Sequence, residues 1–285
     1  MSLLQAIILG IVQGLTEFIP ISSTAHLVLA SRAMSLSMTP EQLTAAIAVI
    51  QLGTLVAVIL YFARDIWQIS FAFVRDHLML LRGGGSAARA LSREAWLGWL
   101  VIIGSLPVGI VGLLFKKQIE GTFTKNLWVI AIMMVVIAVL LGVAEVVSKK
   151  RRDMNELGVI DAIVVGCAQC LALIPGSSRS GSTIMAGLFA GETRETAARF
   201  SFLLSMPAIA ASGLLEMKEA IHKLPHDIFL TLMFGTVISG IVGYLSIWFL
   251  LRYLRTHSTG IFIGYRLFVG GAILIALFLG KLSAL

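Results

Sequence analysis

Long apolar runs separated by short polar loops dominate the chain. Six stretches, 43–62, 97–115, 127–147, 198–217, 228–251 and 261–280, are apolar over the length a helix needs to cross a hydrocarbon core, about 20 residues at 1.5 Å each. In lipid only helices and closed barrels satisfy their backbone groups. These runs are too long for barrel strands, so each predicts a transmembrane helix. Two further regions, 2–34 and 158–191, are apolar but interrupted. Each carries a proline followed by a serine-rich stretch, IPISST at 19–24 and IPGSSRSGST at 174–183. The arms after these breaks, 24–34 and 181–191, have about 11 residues each, which is roughly 16 Å and half of a core. They predict re-entrant helical hairpins whose tips line a polar cavity inside the protein.

The two interrupted regions resemble each other. Gly10, Gln13, Ile19, Pro20, Ser22 and Ser23 line up with Gly166, Gln169, Ile174, Pro175, Ser177 and Ser178 once one residue is deleted. Three spans follow each hairpin. Three is odd, so the second unit has the opposite topology to the first, and the two tips reach inward from opposite sides. The predicted fold is all-α integral membrane, with six transmembrane helices plus two re-entrant helical hairpins in an inverted-topology repeat. Residues 1–285 form a single membrane domain, with repeat 1 at about 1–148 and repeat 2 at about 157–285. Repeats of this kind place a site where the broken helices meet.

Composition narrows the class. Of 285 residues, 58% are apolar and 13% charged, against about a quarter charged in soluble domains, and mean hydropathy is +0.95. A soluble globule, a disordered chain, a fibre and a disulfide scaffold are excluded. The net charge of +7 records orientation rather than nucleic-acid binding, because Lys and Arg collect in cytoplasmic loops. If 43–62 runs outside to inside, the inside loops hold Arg64, Arg75, Arg82, Arg89, Arg93, Lys149, Lys150, Arg151, Arg152, Arg194, Arg199, Arg252 and Arg255. The outside loops hold only Arg32, Lys116, Lys117, Lys125, Lys218, Lys223 and Lys281. Both termini are then outside. The KKRR run at 149–152 is an orientation marker, with a lipid-headgroup site as the alternative. Cys167 and Cys170 lie in an apolar stretch, as small core residues rather than a redox pair. The N-terminus lacks a basic n-region and does not read as a removed signal peptide. The glycine-rich segment 82–93 reads as an inside connector, and His77, His222, His226 and His257 have no assigned role.

The chemistry concentrates at the two breaks. Gln13 and Glu17 are four apart and share a helix face. Ser22, Ser23 and Thr24 form the turn, and His26 falls in the first turn of the next arm. The second tip brings Ser177, Ser178, Arg179, Ser180, Ser182 and Thr183. An ionised side chain deep in a spanning helix costs roughly 2.5–3.5 kcal/mol. One reading is structural: hydroxyls cap short helices, and Arg179 pairs with Glu17 to fix the hairpins. The other is a site for an anion, since an Arg fork matches phosphate oxygens and helix N-termini attract them. No Walker A or dinucleotide pattern is present, so a phosphate held inside a membrane points to a lipid-linked substrate. Gln51 either joins this cavity or bonds two helices together. Arg266, a few residues inside its span, is expected to snorkel to the interface.

These residues also carry a family resemblance. GIVQGLTEFIPISSTAHL (10–27) resembles the (E/Q)xxxE region of the bacterial undecaprenyl-diphosphate phosphatases, the UppP/BacA family associated with bacitracin resistance. PGSSRSGST (175–183) resembles that family's PGxSRSxxT motif. AVIQLGTLVAV (48–58), GCAQCLALIPG (166–176), FSFLLSMP (200–207) and Tyr265-Arg266 are similar to further family text. The resemblance implies a hydrolase of the bacterial inner (plasma) membrane, with its active site toward the extracytoplasmic side. The implied reaction converts undecaprenyl diphosphate to the monophosphate and inorganic phosphate, which recycles the carrier lipid for peptidoglycan synthesis. It implies a divalent cation, Mg²⁺ or Ca²⁺, for which Glu17 and Gln13 are the candidate ligands.

On this reading Glu17, Ser23, His26 and Arg179 are the candidate catalytic residues. Ser23 is the nucleophile, with attack by water or by His26 as alternatives. Ser22, Thr24, Ser178, Arg179, Ser180, Thr183 and Gln51 are the candidates for binding phosphate. The expected partners are the lipid diphosphate and membrane lipid, with no nucleic acid and a possible homodimer. A transporter or flippase of the prenyl phosphate lipid is the rival class, and a structural membrane subunit is a third.

Overall fold

A computed structural model describes residues 1–36, 38–82, 91–115, 126–224 and 228–284, without the side chains of Pro40 and of 214–223. The segment Gly83–Ser86, Arg89, Lys116, Lys117, Lys125 and His226 lie outside the described residues, as do the side chains of Lys218, His222 and Lys223. Among the described residues the architecture is entirely helical, with one isolated bridge between Arg152 and Glu192. Eleven α-helices occur among the described residues: α1 Leu3–Phe18, α2 Ser23–Ala33, α3 Pro40–Tyr61, α4 Ala63–Leu81, α5 Arg93–Leu114, α6 Leu127–Val147, α7 Val159–Gln169, α8 Arg179–Phe189, α9 Arg194–Lys223, α10 Phe229–Leu254 and α11 Gly260–Phe278. A 3₁₀ turn at Cys170–Leu173 extends α7.

Local sequence sets the helix starts. Ser2 and Gln5 form a reciprocal capping box on α1, and Thr39, Pro40 and Gln42 start α3 in the same way. Helices α3, α5, α6, α10 and α11 are long and apolar enough to cross a membrane, and they contain five of the six expected spans. The sixth stretch lies within α9, which runs for 30 residues. The chain is therefore a multi-pass membrane protein. Its outward faces carry bare Leu, Ile, Val and Phe, as a lipid-facing surface requires.

One helix has no counterpart in the expected layout. Residues 63–81 were expected in an inside loop, yet they form α4. Arg64, Asp65, Arg75 and Asp76 keep its hydropathy below that of a span. Trp67, Phe71, Val74, Leu78 and Leu81 nevertheless recur at helical spacing along one exposed stripe. The opposite side docks on α5, where Phe73 and Ile69 close over Gly98 and the Asp76 carboxylate accepts the Ser92 N–H at 2.8 Å.

The hairpins α1–α2 and α7–α8 pack by close backbone approach. A Cβ on Gly10 of α1 would sit 2.3 Å from the Gly235 carbonyl oxygen of α10. One on Gly166 of α7 would sit 2.3 Å from the Gly104 oxygen of α5. Helix α3 packs on α9, and α6 on α11. Small residues thus serve contacts within the chain.

Candidate functional site

Both hairpins turn in the same unusual way. Ser22 and Ser178 are the N-caps of α2 and α8, with φ of 79° and 66°. A serine in this left-handed region stores about 1–3 kcal/mol, which the surrounding packing must hold. Each hydroxyl accepts the backbone N–H three residues on, from Ala25 at 3.4 Å and from Gly181 at 3.1 Å. The first intrahelical bonds come from His26 N–H to the Ser22 carbonyl and from Ser182 N–H to the Ser178 carbonyl. The N–H groups of Ser23, Thr24, Arg179 and Ser180 therefore remain unused by the helices they open.

The cap positions correct the register read from the sequence. Ser22 corresponds to Ser178, not Ser177, so Ser23 corresponds to Arg179. The reason is local winding. The 3₁₀ turn at Cys170–Leu173 takes up the one-residue deletion, and the second tip loop between Ile174 and Ser178 is one residue longer than that between Ile19 and Ser22.

The tips meet through charge. The Arg179 guanidinium donates to Glu17 Oε1 at 2.5 Å, and Gln13 Nε2 donates to Glu17 Oε2 at 3.0 Å. Glu17 is 9% exposed and Gln13 only 1%. Each carboxylate oxygen therefore has a donor, while the Gln13 amide oxygen is buried and accepts no hydrogen bond among the described residues. Side-chain exposure of 16% at Arg179 against 8% at Glu17 puts the guanidinium on the wetter side of the pair.

Around this pair the other candidates divide. Ser23 is half-buried and Thr24 exposed, and neither hydroxyl forms a hydrogen bond among the described residues. His26 Nδ1 lies 2.7 Å from the Ser22 carbonyl, which can only accept, so Nδ1 carries the proton. In the neutral ring Nε2 is then the acceptor, 2.8 Å from the Tyr265 hydroxyl, and the two rings stack. The Ser178 and Ser180 hydroxyls contact each other at 3.2 Å. Thr183 is buried, and its hydroxyl lies 2.8 Å from the Arg179 carbonyl and 2.5 Å from the Ser201 hydroxyl, tying α8 to α9. Gln51 lies in α3, and no described contact joins its amide to the Glu17–Arg179 pair.

Arg266 departs from the expectation that it snorkels. It is fully buried. Its guanidinium donates to the carbonyls of Pro20 (3.3 Å), Gly176 (2.9 Å) and Ser177 (3.1 Å) at the two tips, and to Met133 (3.3 Å) and Met134 (3.1 Å) of α6. Both bends leave carbonyls without helical partners, and only a donor-rich planar group reaches so many at once. The signal in the sequence was an ionisable residue inside a span, which marks a functional location by default. Ser201 had no such signal.

Behind the second hairpin lies a separate polar knot. Arg152 of the KKRR run binds both Asp161 oxygens at 2.6 and 2.7 Å, and Lys150 turns back to Glu145. The run is thus partly consumed by internal pairs. Beside it Glu192, in the loop between α8 and α9, is wholly buried, and neither carboxyl oxygen has a partner among the described residues. Burial, then the nearby Asp161 charge, pushes its carboxyl up to about 8 despite the opposing pull of Arg152.

The family described as bacitracin resistance protein BacA matches residues 6–272, nearly the whole chain. The chain belongs to the BacA family. Among curated BacA relatives, an undecaprenyl-diphosphatase of Syntrophobacter fumaroxidans is 52% identical over 276 residues, covering 96% of this chain and 97% of its own. Undecaprenyl-diphosphatases of Chloroherpeton thalassium and Mycolicibacterium gilvum are 45% and 44% identical, with full coverage of both chains. The hairpin tips and the Tyr265-Arg266 pair all fall inside the BacA match.

Proposed function

We infer that this chain is an undecaprenyl-diphosphatase: it hydrolyses the terminal phosphate of undecaprenyl diphosphate, giving the monophosphate lipid and inorganic phosphate. The observation that carries this reading is the Glu17–Arg179 contact between two serine-capped tips, in a chain of the BacA family. The activity makes it a hydrolase of the bacterial inner membrane that serves carrier-lipid recycling and bacitracin resistance. The paired glycine contacts of α1 with α10 and of α7 with α5 support an inverted repeat of 1–148 and 157–285. In that topology the site opens to the extracytoplasmic side.

The chemistry follows from the groups at hand. Arg179 exchanges its carboxylate partner for the diphosphate, and the unused N–H groups of Ser23, Thr24, Arg179 and Ser180 take further phosphate oxygens. Phosphoryl transfer depends mostly on such fixed positive charge. Ser23 Oγ attacks the terminal phosphorus, and the bond to the bridging oxygen breaks, leaving the lipid monophosphate. The serine proton passes to Glu17, or to His26 Nε2 in place of the Tyr265 hydrogen bond it accepts. Water then cleaves the phosphoserine, returning serine and phosphate. Thr183 serves this site through α9, by fixing the first turn of α8.

The donor set suits a hard divalent cation, Mg²⁺ or Ca²⁺. Among the described residues there is no cluster of three His, Cys, Asp or Glu, but such ions bind through one or two protein oxygens plus substrate phosphates. The Glu17 carboxylate and the orphaned Gln13 amide oxygen would hold it, and when bound it neutralises phosphate charge. The deciding experiment uses purified protein in micelles with undecaprenyl diphosphate and Mg²⁺, reading free phosphate. Turnover in wild type that disappears in Arg179→Ala, with the variant still folded, supports the reading. Wild-type protein that releases no phosphate overturns it.

A further inference from the structure

A second charged concavity lies away from the hairpin tips. It occupies about 110 Å³ where the ends of α3 and α10 meet the start of α9. Its lining combines the apolar or aromatic Tyr61, Trp248 and Leu251 with the charged Glu195, Arg199, Arg252 and Arg255. Three buried rings separate it from the acid of the first tip. The Arg199 guanidinium lies 5.7 Å from the Phe62 ring centre, Phe62 packs on Phe202 at 6.2 Å, and Phe202 packs on Phe18 at 5.4 Å, next to Glu17 in sequence.

The charges here do not cancel. Arg255 donates twice to Glu195 Oε1, at 2.9 and 2.8 Å. Arg199 pairs with Asp65 at 2.7 Å. Arg252 has no carboxylate among the described residues; it lies over the Trp248 ring at 5.8 Å. One guanidinium fork is thus left over in a concavity that also offers the Tyr61 phenol. A guanidinium over an indole is held in orientation while its N–H groups stay free for an anion.

The surroundings say which anion. Within the two turns before the concavity, Val56 and Leu60 of α3 and Ile241 and Leu245 of α10 are each more than half exposed. They add exposed apolar surface along this end of α3 and α10, in a chain whose outward faces meet lipid. Tyr61 and Trp248 follow these residues, and Tyr244 packs against Tyr61, as amphipathic rings do at the headgroup level. An occupant that leaves an acyl chain on that apolar surface and a singly charged phosphate at the arginines matches both parts. We propose that this concavity binds the phosphodiester of an anionic glycerophospholipid, at a site distinct from the one that turns over substrate.

The test is native mass spectrometry of the purified chain with dioleoyl phosphatidylglycerol, with dioleoyl phosphatidylcholine, or with sodium phosphate and no added lipid. Wild type is expected to keep one phosphatidylglycerol under activation that strips phosphatidylcholine. Arg252→Gln should lower that retained fraction roughly fivefold, the share of one cation at a lipid surface, and Arg252→Gln with Arg255→Gln should lower it further. Arg252→Lys, which keeps charge without the fork, should fall between. Unchanged melting temperature without lipid establishes that the variants fold, so lost retention supports the site. Equal retention in all variants, or equal retention of phosphatidylcholine, overturns the proposal. Inorganic phosphate that protects wild type as well as the lipid does, with the same loss in Arg252→Gln, makes the occupant a free phosphate and overturns the lipid assignment. The readout is independent of phosphatase turnover, so it stands or falls separately from the proposed reaction.

Discussion

The two hairpin tips share a turn and divide the polar groups. The first keeps Ser23 and His26 half-buried and Thr24 exposed, and it supplies the acid. The second buries Ser177, Ser180, Ser182 and Thr183 to 3% exposure or less and supplies the guanidinium. At the matched helix starts a serine in one tip stands where an arginine stands in the other. Duplicated geometry with unlike residues lets one bend carry a guanidinium while the other leaves the Ser23 hydroxyl without a hydrogen bond among the described residues. In the proposed reaction the second tip is the rigid anion cradle and the first is the working edge.

The largest expected effect removes the cradle's charge. Arg179→Ala should lower phosphate release by about 10³-fold or more, since no other cation of the tips faces the site. Ser23→Ala tests the working edge, with an expected loss of about 10²–10³-fold in kcat and little change in KM. Turnover within about tenfold of wild type would reassign the attack to water or His26. Arg266→Met should cost about 3 kcal/mol or more of stability, read by thermal unfolding in micelles, because it leaves carbonyls of both tips unpaired in the interior. Gln13→Glu should lower the Mg²⁺ concentration for half-maximal turnover by roughly tenfold, by adding a charged oxygen beside Glu17.

The smallest effect sits behind the second tip and depends on pH. The Glu192 carboxyl is raised from 4.5 to about 8 in the folded protein. The folded state therefore holds a proton that the unfolded chain releases. Stability from this group is complete below about pH 4.5 and is lost as pH rises through 8. Glu192→Gln should flatten that dependence, raising the melting temperature above pH 8 and leaving it near wild type at pH 5. A parallel fall with pH in both proteins would place the titration elsewhere.

Much of this organisation was legible in the residues. Sustained apolar runs gave the spans, and a proline before an arm too short to cross gave the hairpins. Repeated text suggested that Glu17 and Arg179 would meet. Other features could not be read because their causes lie far along the chain or in local winding. Arg266 is buried by carbonyls 89 to 246 positions away. The matching of Ser22 with Ser178 depends on one extra residue in the second tip loop, which offsets the one taken up by the 3₁₀ turn. Helix α4 reads as loop because four charges dilute its hydropathy. The contact of Thr183 with Ser201 comes from the next helix, 18 positions on.

One guanidinium on α11 holds backbone oxygens from both bends and from α6. The bends are therefore tied to each other through a third helix. A tilt of α11 would carry both bends together and preserve their mutual spacing. Moving one bend away from the other must instead break hydrogen bonds to this one buried guanidinium.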